Sequence, residues 1–376
     1  MPKVVSVETA VAPLQLEHGV GAVEGKWIVK TIDNVLVRVT TDDGITGTSY
    51  IWLPTARQTL ETPETATIMI AERAVRSLAE QFVIGEDLFT TERIYTRINA
   101  DAGHLGLGMV TKAHSAIDMA MWDAMGKVAG LPLYKMLGGH KEEVPVYSNE
   151  LLMSTHLPPD ELGEVARGLA AKGFRGLKLP FGVFKDVPVS LDVARIKAVR
   201  EAIGPDVKIM LDTAARLPVD ELIRRMRMID DLDIAWVEDP VPADQIDNLR
   251  KIKSALKTPV ATGEGVWGTR HFRRLFEANA VDIALFEPMR VGGITGCQKV
   301  AALASEFDVM ITPHVYPDLG VQLIAGFSSG LMAEYLPWWS RLFKNPIEAH
   351  NGFVSARQTP GIGWEFRDEF FAKSAT

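Results

Sequence analysis

The chain has a single cysteine, Cys297, among 376 residues. No internal disulfide can form, and no Cys/His grouping has zinc-finger spacing. A reducing, cytoplasmic setting is the expectation. Basic runs are missing too: no five consecutive Lys or Arg occur, and 40 basic against 48 acidic residues leave a formal charge of −8. That balance speaks against nucleic acid as a partner, and any anionic ligand must be held by a local site against the overall field. Long apolar runs are also absent. Nowhere do ~18 apolar residues follow one another, and Glu8 interrupts the N-terminus before an apolar core forms, so neither a membrane span nor a signal peptide is expected. No Gly-x-Gly-x-x-Gly follows a first strand, which weakens a dinucleotide-binding open sheet. What is present is a globular composition, 47% hydrophobic and 23% charged. At ~150 residues per domain the length suits roughly two to three domains, or one large barrel with an addition.

Residues 1–130 read as an α+β unit. Alternating apolar positions over 4–11 and 35–39, with Asp43-Gly44 as a tight turn, predict an antiparallel meander, and the stretch 63–130 then reads as helices. Within it Ala113, Ile117, Met121, Trp122 and Met125 fall on one helical face. A stripe of this kind is core.

From Val144 the pattern changes to short apolar runs, each ending in a polar residue and followed by a helix-like segment. The predicted strands are 144–147, 176–178, 208–212, 234–238, 260–264, 283–287, 309–314 and 331–334. Strand ends at Asp212, Glu238, Glu264, Glu287 and His314 recur at intervals of 26, 26, 23 and 27 residues, each fitting one strand, one helix and two short loops. Residues 191–202, 219–228 and 297–307 carry apolar side chains at helical spacing. Eight such strands predict a closed parallel barrel over 131–345. The tail, about 346–376, is punctuated by Pro360-Gly361-Ile362-Gly363 and is expected to return to the first domain.

In a parallel barrel the active site lies at the carboxyl ends of the strands. Here those ends carry Lys178, Asp212, Glu238, Glu264, Glu287, His314 and Glu334. Carboxylates crowded at low dielectric repel, so some must share protons, pair with a cation or bind a metal. Asp212, Glu238 and Glu264 on successive strands offer oxygen ligands only, which suits a hard divalent ion, Mg²⁺ above others.

These residues resemble a family. Ile209-Met210-Leu211-Asp212, Trp236-Val237-Glu238-Asp239-Pro240, Thr262-Gly263-Glu264 and Val291-Gly292-Gly293-Ile294-Thr295 are similar to the enolase superfamily, in its mandelate racemase-like group. Ala116-Ile117-Asp118-Met119-Ala120-Met121-Trp122-Asp123 and Leu137-Gly138-Gly139 also match, so the resemblance spans nearly the whole chain. It implies a modified TIM barrel, (β/α)7β, under an α+β N-terminal capping domain completed by the tail, and a homo-oligomer of two to eight copies. It implies one Mg²⁺ per subunit held by Asp212, Glu238 and Glu264, and abstraction of the proton α to a substrate carboxylate through an enediolate. Lys178 sits at the first position of the family's Lys-x-Lys motif, beside the same carboxylate. His314 falls where this group places its catalytic base, and Glu287 where an acid accepts the other ring N–H. Glu334 matches a late-strand carboxylate that contacts substrate, and Asn149, just past the first barrel strand, joins the substrate-binding set.

Three departures bear on the reaction. The second lysine of the motif is Pro180, which has no titratable group, so a two-base racemase is not expected. A similar Lys-x-Pro in the rhamnonate dehydratase branch favours elimination. The orienting acid is Glu287 where Asp is commoner. Asp212 is followed by Thr213 and Ala214 where some relatives supply an Asn. A single base still suffices for dehydration: His314 removes the α-proton and returns it to the departing β-hydroxyl, giving a 2-keto-3-deoxy acid. Lys185 and Tyr316 are alternative acids. The Gly-rich, polar segment 16–27, with His18, Lys26 and Trp27, reads as a lid over a polyhydroxylated acid, and 52–57 as a second specificity loop. His104, Trp338 and Trp339 read as packing. The expectation is therefore an acid-sugar dehydratase, a carbon–oxygen lyase of carbohydrate catabolism acting on a small carboxylate. Its rivals are a cycloisomerase or epimerase using the same enediolate, and a catalytically silent metal and sugar-acid binding barrel.

Overall fold

The computed structural model describes residues 1–20, 29–54, 65–105, 107–154, 157–184 and 187–372. Three antiparallel strands, β1 (Val4–Val20), β2 (Val29–Thr41) and β3 (Thr46–Pro54), form a sheet in that order. The β2–β3 hairpin turns through Gly44 at φ +84°, a conformation that suits glycine. Helices α1 (Thr65–Phe82), α2 (Thr91–Leu105), α3 (Leu107–Ala129) and α4 (Leu133–Met136) follow.

The expected apolar face of α3 is too narrow a description. Every residue from Thr111 to Gly126 is buried, because the helix is packed between β3 on one side and the barrel on the other. Gly47 allows the close approach of β3, since a Cβ there would overlap Ala120 O.

The barrel strands are β4 (Glu143–Ser148), β5 (Gly176–Pro180), β6 (Lys208–Asp212), β7 (Ile234–Glu238), β8 (Val260–Thr262), β9 (Ile283–Phe286), β10 (Met310–Pro313) and β11 (Ala333–Tyr335). They are bonded in the path β10-β9-β8-β7-β6-β5-β4-β11, with parallel pairing. A parallel bridge between Ile311 and Gly330, with Leu331 N donating to Ile311 O at 2.9 Å, brings β10 against β11 and completes the ring. The connecting helices are α5 (Pro159–Ala171), α6 (Val189–Ile203), α7 (Val219–Arg227), α8 (Ile246–Ala255), α9 (Arg270–Glu277), α10 (Pro288–Val291), α11 (Gly293–Glu306) and α12 (Pro317–Gly326). Directly after β11 a 3₁₀ turn, Pro337–Leu342, stands in place of an eighth connecting helix, so the fold is (β/α)7β. Tyr147, Met210, Trp236, Ala261, Ile283 and Met332 fill the barrel interior as an apolar layer of their own, with the Tyr147 and Trp236 rings edge to face at 5.3 Å.

The tail first adds β12 (Phe353–Ser355) antiparallel to β4, then crosses to the N-terminal unit. Ile362 N donates to Asp123 Oδ1 at 2.8 Å and Trp364 Nε1 to Thr48 O at 3.0 Å, and α13 (Asp368–Ala372) lies against β1. Among the described residues no helix is long and apolar enough to cross a membrane.

Several strand ends differ from expectation. β8 stops at Thr262 and β9 at Phe286, so Glu264 and Glu287 stand past the ladder, and β11 starts at Ala333 instead of Leu331. Gly263, at φ +133°, turns the backbone out of the sheet ahead of Glu264. Polar residues at a barrel mouth leave the ladder as soon as the chain turns toward the next helix.

Candidate active site

Parallel register sets the depth of each side chain. Pro180 pairs with Asp212 and Asp212 with Glu238, whereas Lys178 pairs with Met210. Lys178 therefore starts one pleat repeat below the two acids and reaches upward with its long stem. It is 1% exposed. Its Nζ lies 2.7 Å from Glu238 Oε1 and 3.0 Å from Glu334 Oε1. Burial opposes its charge, but Glu238 and Glu334 together hold it well above the ordinary lysine value.

Glu334 is fixed from two further directions. Asn149 Nδ2 donates to Oε1 at 2.7 Å, and Val315 N to Oε2 at 2.9 Å. The second contact depends on a left-handed turn in which Val315 has φ 44° and Tyr316 φ 54°, unusual for a β-branched residue and of a kind that concentrates at functional sites. The same turn seats the Tyr316 ring 4.8 Å from that of Tyr50, and Tyr316 Oη donates to Tyr50 O at 3.3 Å.

Glu238 is completely buried and accepts from Trp236 Nε1 at 3.1 Å. Burial pushes its carboxyl up to about 8, opposed by Lys178 and reinforced by Asp212, Glu334 and Glu264. Asp212 accepts from Ala214 N at 2.8 Å and is raised by burial, with Lys178 opposing and Glu264 adding. Asp239, beside Glu238, is pushed up to about 7 by burial and by Glu264, and accepts from Thr262 Oγ1 at 2.5 Å.

His314 lies between two acids. Its Nε2 is 2.9 Å from Glu264 Oε2, and its Nδ1 3.6 Å from Glu287 Oε2. Burial works against the imidazolium, yet Glu264 and Glu287 raise its pKa well above the ordinary value. Burial likewise opposes ionisation of Glu264, but His314 holds that carboxyl down at about 2. The expected Glu287 acceptor bond is not formed, because 3.6 Å exceeds hydrogen-bond reach. Arg290 Nε sits 2.8 Å from the same oxygen. This is ion-pair contact without hydrogen-bond alignment, since Glu287 Oε1 and Oε2, His314 Nδ1 and Arg290 Nε all lack an aligned partner among the described residues.

The donor chemistry of Asp212, Glu238 and Glu264 fits a hard divalent cation. They supply oxygen alone, and Glu264 raises the pKa of both Asp212 and Glu238, as Asp212 raises that of Glu238. No three acidic or imidazole side chains converge with metal-ligand spacing among the described residues, because Glu264 is turned onto His314 and Glu238 onto Lys178 and Trp236. Each of the three acids meets a compensating donor or cation, which the completely buried Glu238 requires most.

The remaining expected residues divide clearly. Asn149 is brought to the site through Glu334. Tyr316 lies beside it, fully buried and raised well above the ordinary tyrosine value by burial and by Tyr50. Trp339 is packing, with Nε1 donating to Asn34 Oδ1 at 3.0 Å, and the Trp338 ring lies tilted against it with centroids 5.8 Å apart. Lys26, Trp27 and Lys185 lie outside the described residues, as do the side chains of His18 and His104 and most of the 52–57 loop. Sequence reasoning missed Arg290, whose Nη1 also donates to Glu264 O at 2.7 Å. Its signal was the i, i+3 spacing from Glu287.

Comparison with known proteins identifies the family. Residues 3–138 match the family model "Mandelate racemase / muconate lactonizing enzyme, N-terminal domain", and residues 161–370 match "Enolase C-terminal domain-like". The chain is 31% identical over 288 residues to L-talarate/galactarate dehydratase of Salmonella typhimurium, covering 76% of this chain and 71% of that one. It is 32% identical over 359 residues to D-galactarolactone cycloisomerase of Agrobacterium fabrum, covering 88% of each. Among solved structures, L-talarate dehydratase from Polaromonas sp. JS666, complexed with Mg and L-glucarate, superposes with a TM-score of 0.88 at 26% identity over 99% of this chain and 97% of that one. Fold and relatives together define an enzyme of the enolase superfamily, whose members use Mg²⁺. Within it, the chain belongs to the mandelate racemase/muconate lactonizing enzyme family.

Proposed function

We propose that this enzyme is a Mg²⁺-dependent acid-sugar dehydratase working with one base. The observation that carries the reading is the pairing of His314 with Glu264 and Glu287 opposite a Lys178 that is followed, two residues on, by Pro180. Asp212, Glu238 and Glu264 hold the metal in this reading. Bound there, Mg²⁺ supplies Lewis-acid stabilisation of the negative charge that grows on the substrate carboxylate.

The chain's own groups do the rest. Lys178 places a buried ammonium against that carboxylate, and Glu238 and Glu334 keep it charged. Glu264 would be engaged in holding the metal, which would leave His314 Nε2 to take the α-proton, and Glu287 stabilises the resulting imidazolium through charge. The imidazolium returns its proton to the β-hydroxyl as the C–O bond breaks. Water leaves, and the enol ketonises to a 2-keto-3-deoxy acid. Proton delivery and removal from one ring place the departing hydroxyl on the His314 face, a syn elimination. Glu334, positioned by Asn149 and Val315, contacts the substrate beside Lys178.

A panel of sugar acids incubated with Mg²⁺ and assayed for 2-keto acid tests this reading. Formation of a 2-keto-3-deoxy acid with release of one water supports it. A product retaining every oxygen assigns the chain to the cycloisomerases or epimerases, and absence of both product and α-deuterium exchange in D₂O assigns it to the silent binders.

A further inference from the structure

One buried cation stands apart from the machinery above. Lys112, on α3, is 8% exposed. Among the described residues its Nζ makes one hydrogen bond, donating to Trp52 O at 3.3 Å, and it lies 5.6 Å from the centroid of the same indole. An ammonium carries three donors, and a buried charge without a counter-ion is costly. Burial pushes this lysine down to about 8, with Glu287 opposing and Arg290 adding to the shift, so it is still charged near neutrality. Trp52 Nε1 is likewise buried without an acceptor among the described residues.

Two packing contacts and one electrostatic influence place this pair over the barrel mouth. α3 packs on α10, which begins immediately after Glu287. Lys112 feels the charges of Glu287 and Arg290. Trp52 follows Tyr50 by two residues on β3, and the Tyr50 ring rests on Tyr316, two residues beyond His314. Lys112 therefore belongs to the roof above β9 and β10, supplied by the N-terminal unit, whereas Lys178 belongs to the barrel floor.

We propose that Lys112, with the Trp52 indole N–H, forms a second carboxylate-binding subsite, so that the preferred substrate is a sugar diacid carrying a carboxylate at each end. The inference rests on the reading that a sugar acid reacts beside Lys178, and it selects among such acids. A hydroxyl at the far end satisfies a donor but leaves the ammonium uncompensated. A carboxylate does both, accepting from Nζ and Nε1 with separate oxygens. On a chain of net charge −8, a dedicated cation is what retains a second negative group.

The test compares six-carbon sugar diacids with the matching monoacids on the Mg²⁺-loaded enzyme, by kcat/KM and by calorimetric binding. Variants are Lys112→Met, close in length and fit for a buried site, and Trp52→Phe, which removes the pyrrole half of the indole with its N–H and keeps a six-membered ring under Lys112. A charge-assisted contact of this kind corresponds to roughly 10–100-fold. Wild type should favour diacids, and Lys112→Met should lower the diacid-to-monoacid ratio by that factor, through KM more than kcat. Trp52→Phe should move the ratio the same way by less. Turnover of monoacids in preference overturns the subsite and leaves the dehydratase reading standing, as does an unchanged ratio in a folded Lys112→Met. Lys112-dependent binding of diacids without turnover supports the subsite and removes the dehydratase reading. No binding of either class removes both. Should Lys112→Met fail to fold, the wild-type preference and Trp52→Phe decide the matter by the same criteria.

Discussion

His314 Nδ1 stands 3.6 Å from Glu287 Oε2, so the acid acts on the imidazole through charge and not through a formed hydrogen bond. The extra methylene of Glu287 carries its carboxylate to Arg290, which approaches the same oxygen to 2.8 Å. The two substitutions at this dyad should therefore differ in size. His314→Asn removes the base and should lower α-deuterium exchange in D₂O by ~10²–10⁴-fold, with substrate binding by calorimetry little changed. Glu287→Gln keeps the ring and loses one of two neighbouring charges, so its loss should be the smaller. Equal losses would mean that the Glu287 bond forms during turnover, and persistent exchange in His314→Asn would move the base elsewhere.

Glu264 is shared between His314 and the metal in the proposed mechanism, which gives metal loading a structural signature. Mg²⁺ binding to the folded state alone raises its stability, by about 2.7 kcal/mol at a concentration 100 times the dissociation constant. Wild type should show a rise in unfolding midpoint with Mg²⁺ that a chelator reverses. Glu264→Gln and Asp212→Asn should show none while keeping the wild-type circular dichroism spectrum. Full activity after exhaustive chelation would end the metal assignment.

Pro180 leaves the Lys178 face without a second base at the family's usual position. Substrate recovered after partial turnover in D₂O should then carry deuterium at Cα with its configuration retained. Chiral analysis that found the epimer would require a proton donor on the Lys178 side, and Lys178 itself would be the first residue to substitute.

The barrel was legible because its chemistry is periodic. A polar residue stands at or just past the end of five successive strands, and the spacing of Asp212, Glu238, Glu264, Glu287 and His314 follows one strand and one helix per step. The family motifs around Asp212, Glu238 and Glu264 lie at those same strand ends. What the sequence hid were contacts made by geometry across long separations. Nothing in the local pattern of α3 shows that it is buried all round, since burial comes from β3 on one side and α10 and α11 on the other. Lys112 has the look of a solvated lysine until tertiary packing encloses it. The Val315 N–H bond to Glu334 depends on a left-handed valine, which propensity argues against.

Helix α3 also carries two buried groups whose titrations act on stability in opposite directions. His114 Nε2 has no hydrogen-bond partner among the described residues, and its ring meets Tyr95 at 5.2 Å. Burial holds its pKa down at about 4 against an ordinary 6.5. Below pH 6.5 the unfolded chain takes up a proton that the folded state refuses, so this group removes stability as pH falls from 6.5 toward 4. Asp118, one turn along, accepts from Thr295 N at 3.0 Å and Thr295 Oγ1 at 2.5 Å, yet burial pushes it up to about 7 from an ordinary 3.8. The unfolded chain releases that proton first, so Asp118 removes stability as pH rises from 3.8 toward 7. Across the shared window the two slopes oppose each other. His114→Phe deletes one of them. Relative to wild type, its stability should increase between pH 7 and pH 5 by about 2 kcal/mol, at ~1.4 kcal/mol per unit of proton linkage. Urea midpoints of both proteins at the two pH values measure the difference, in which any fixed packing cost of the substitution cancels. A difference that does not change with pH would show that His114 binds its proton equally well in the folded and unfolded chain.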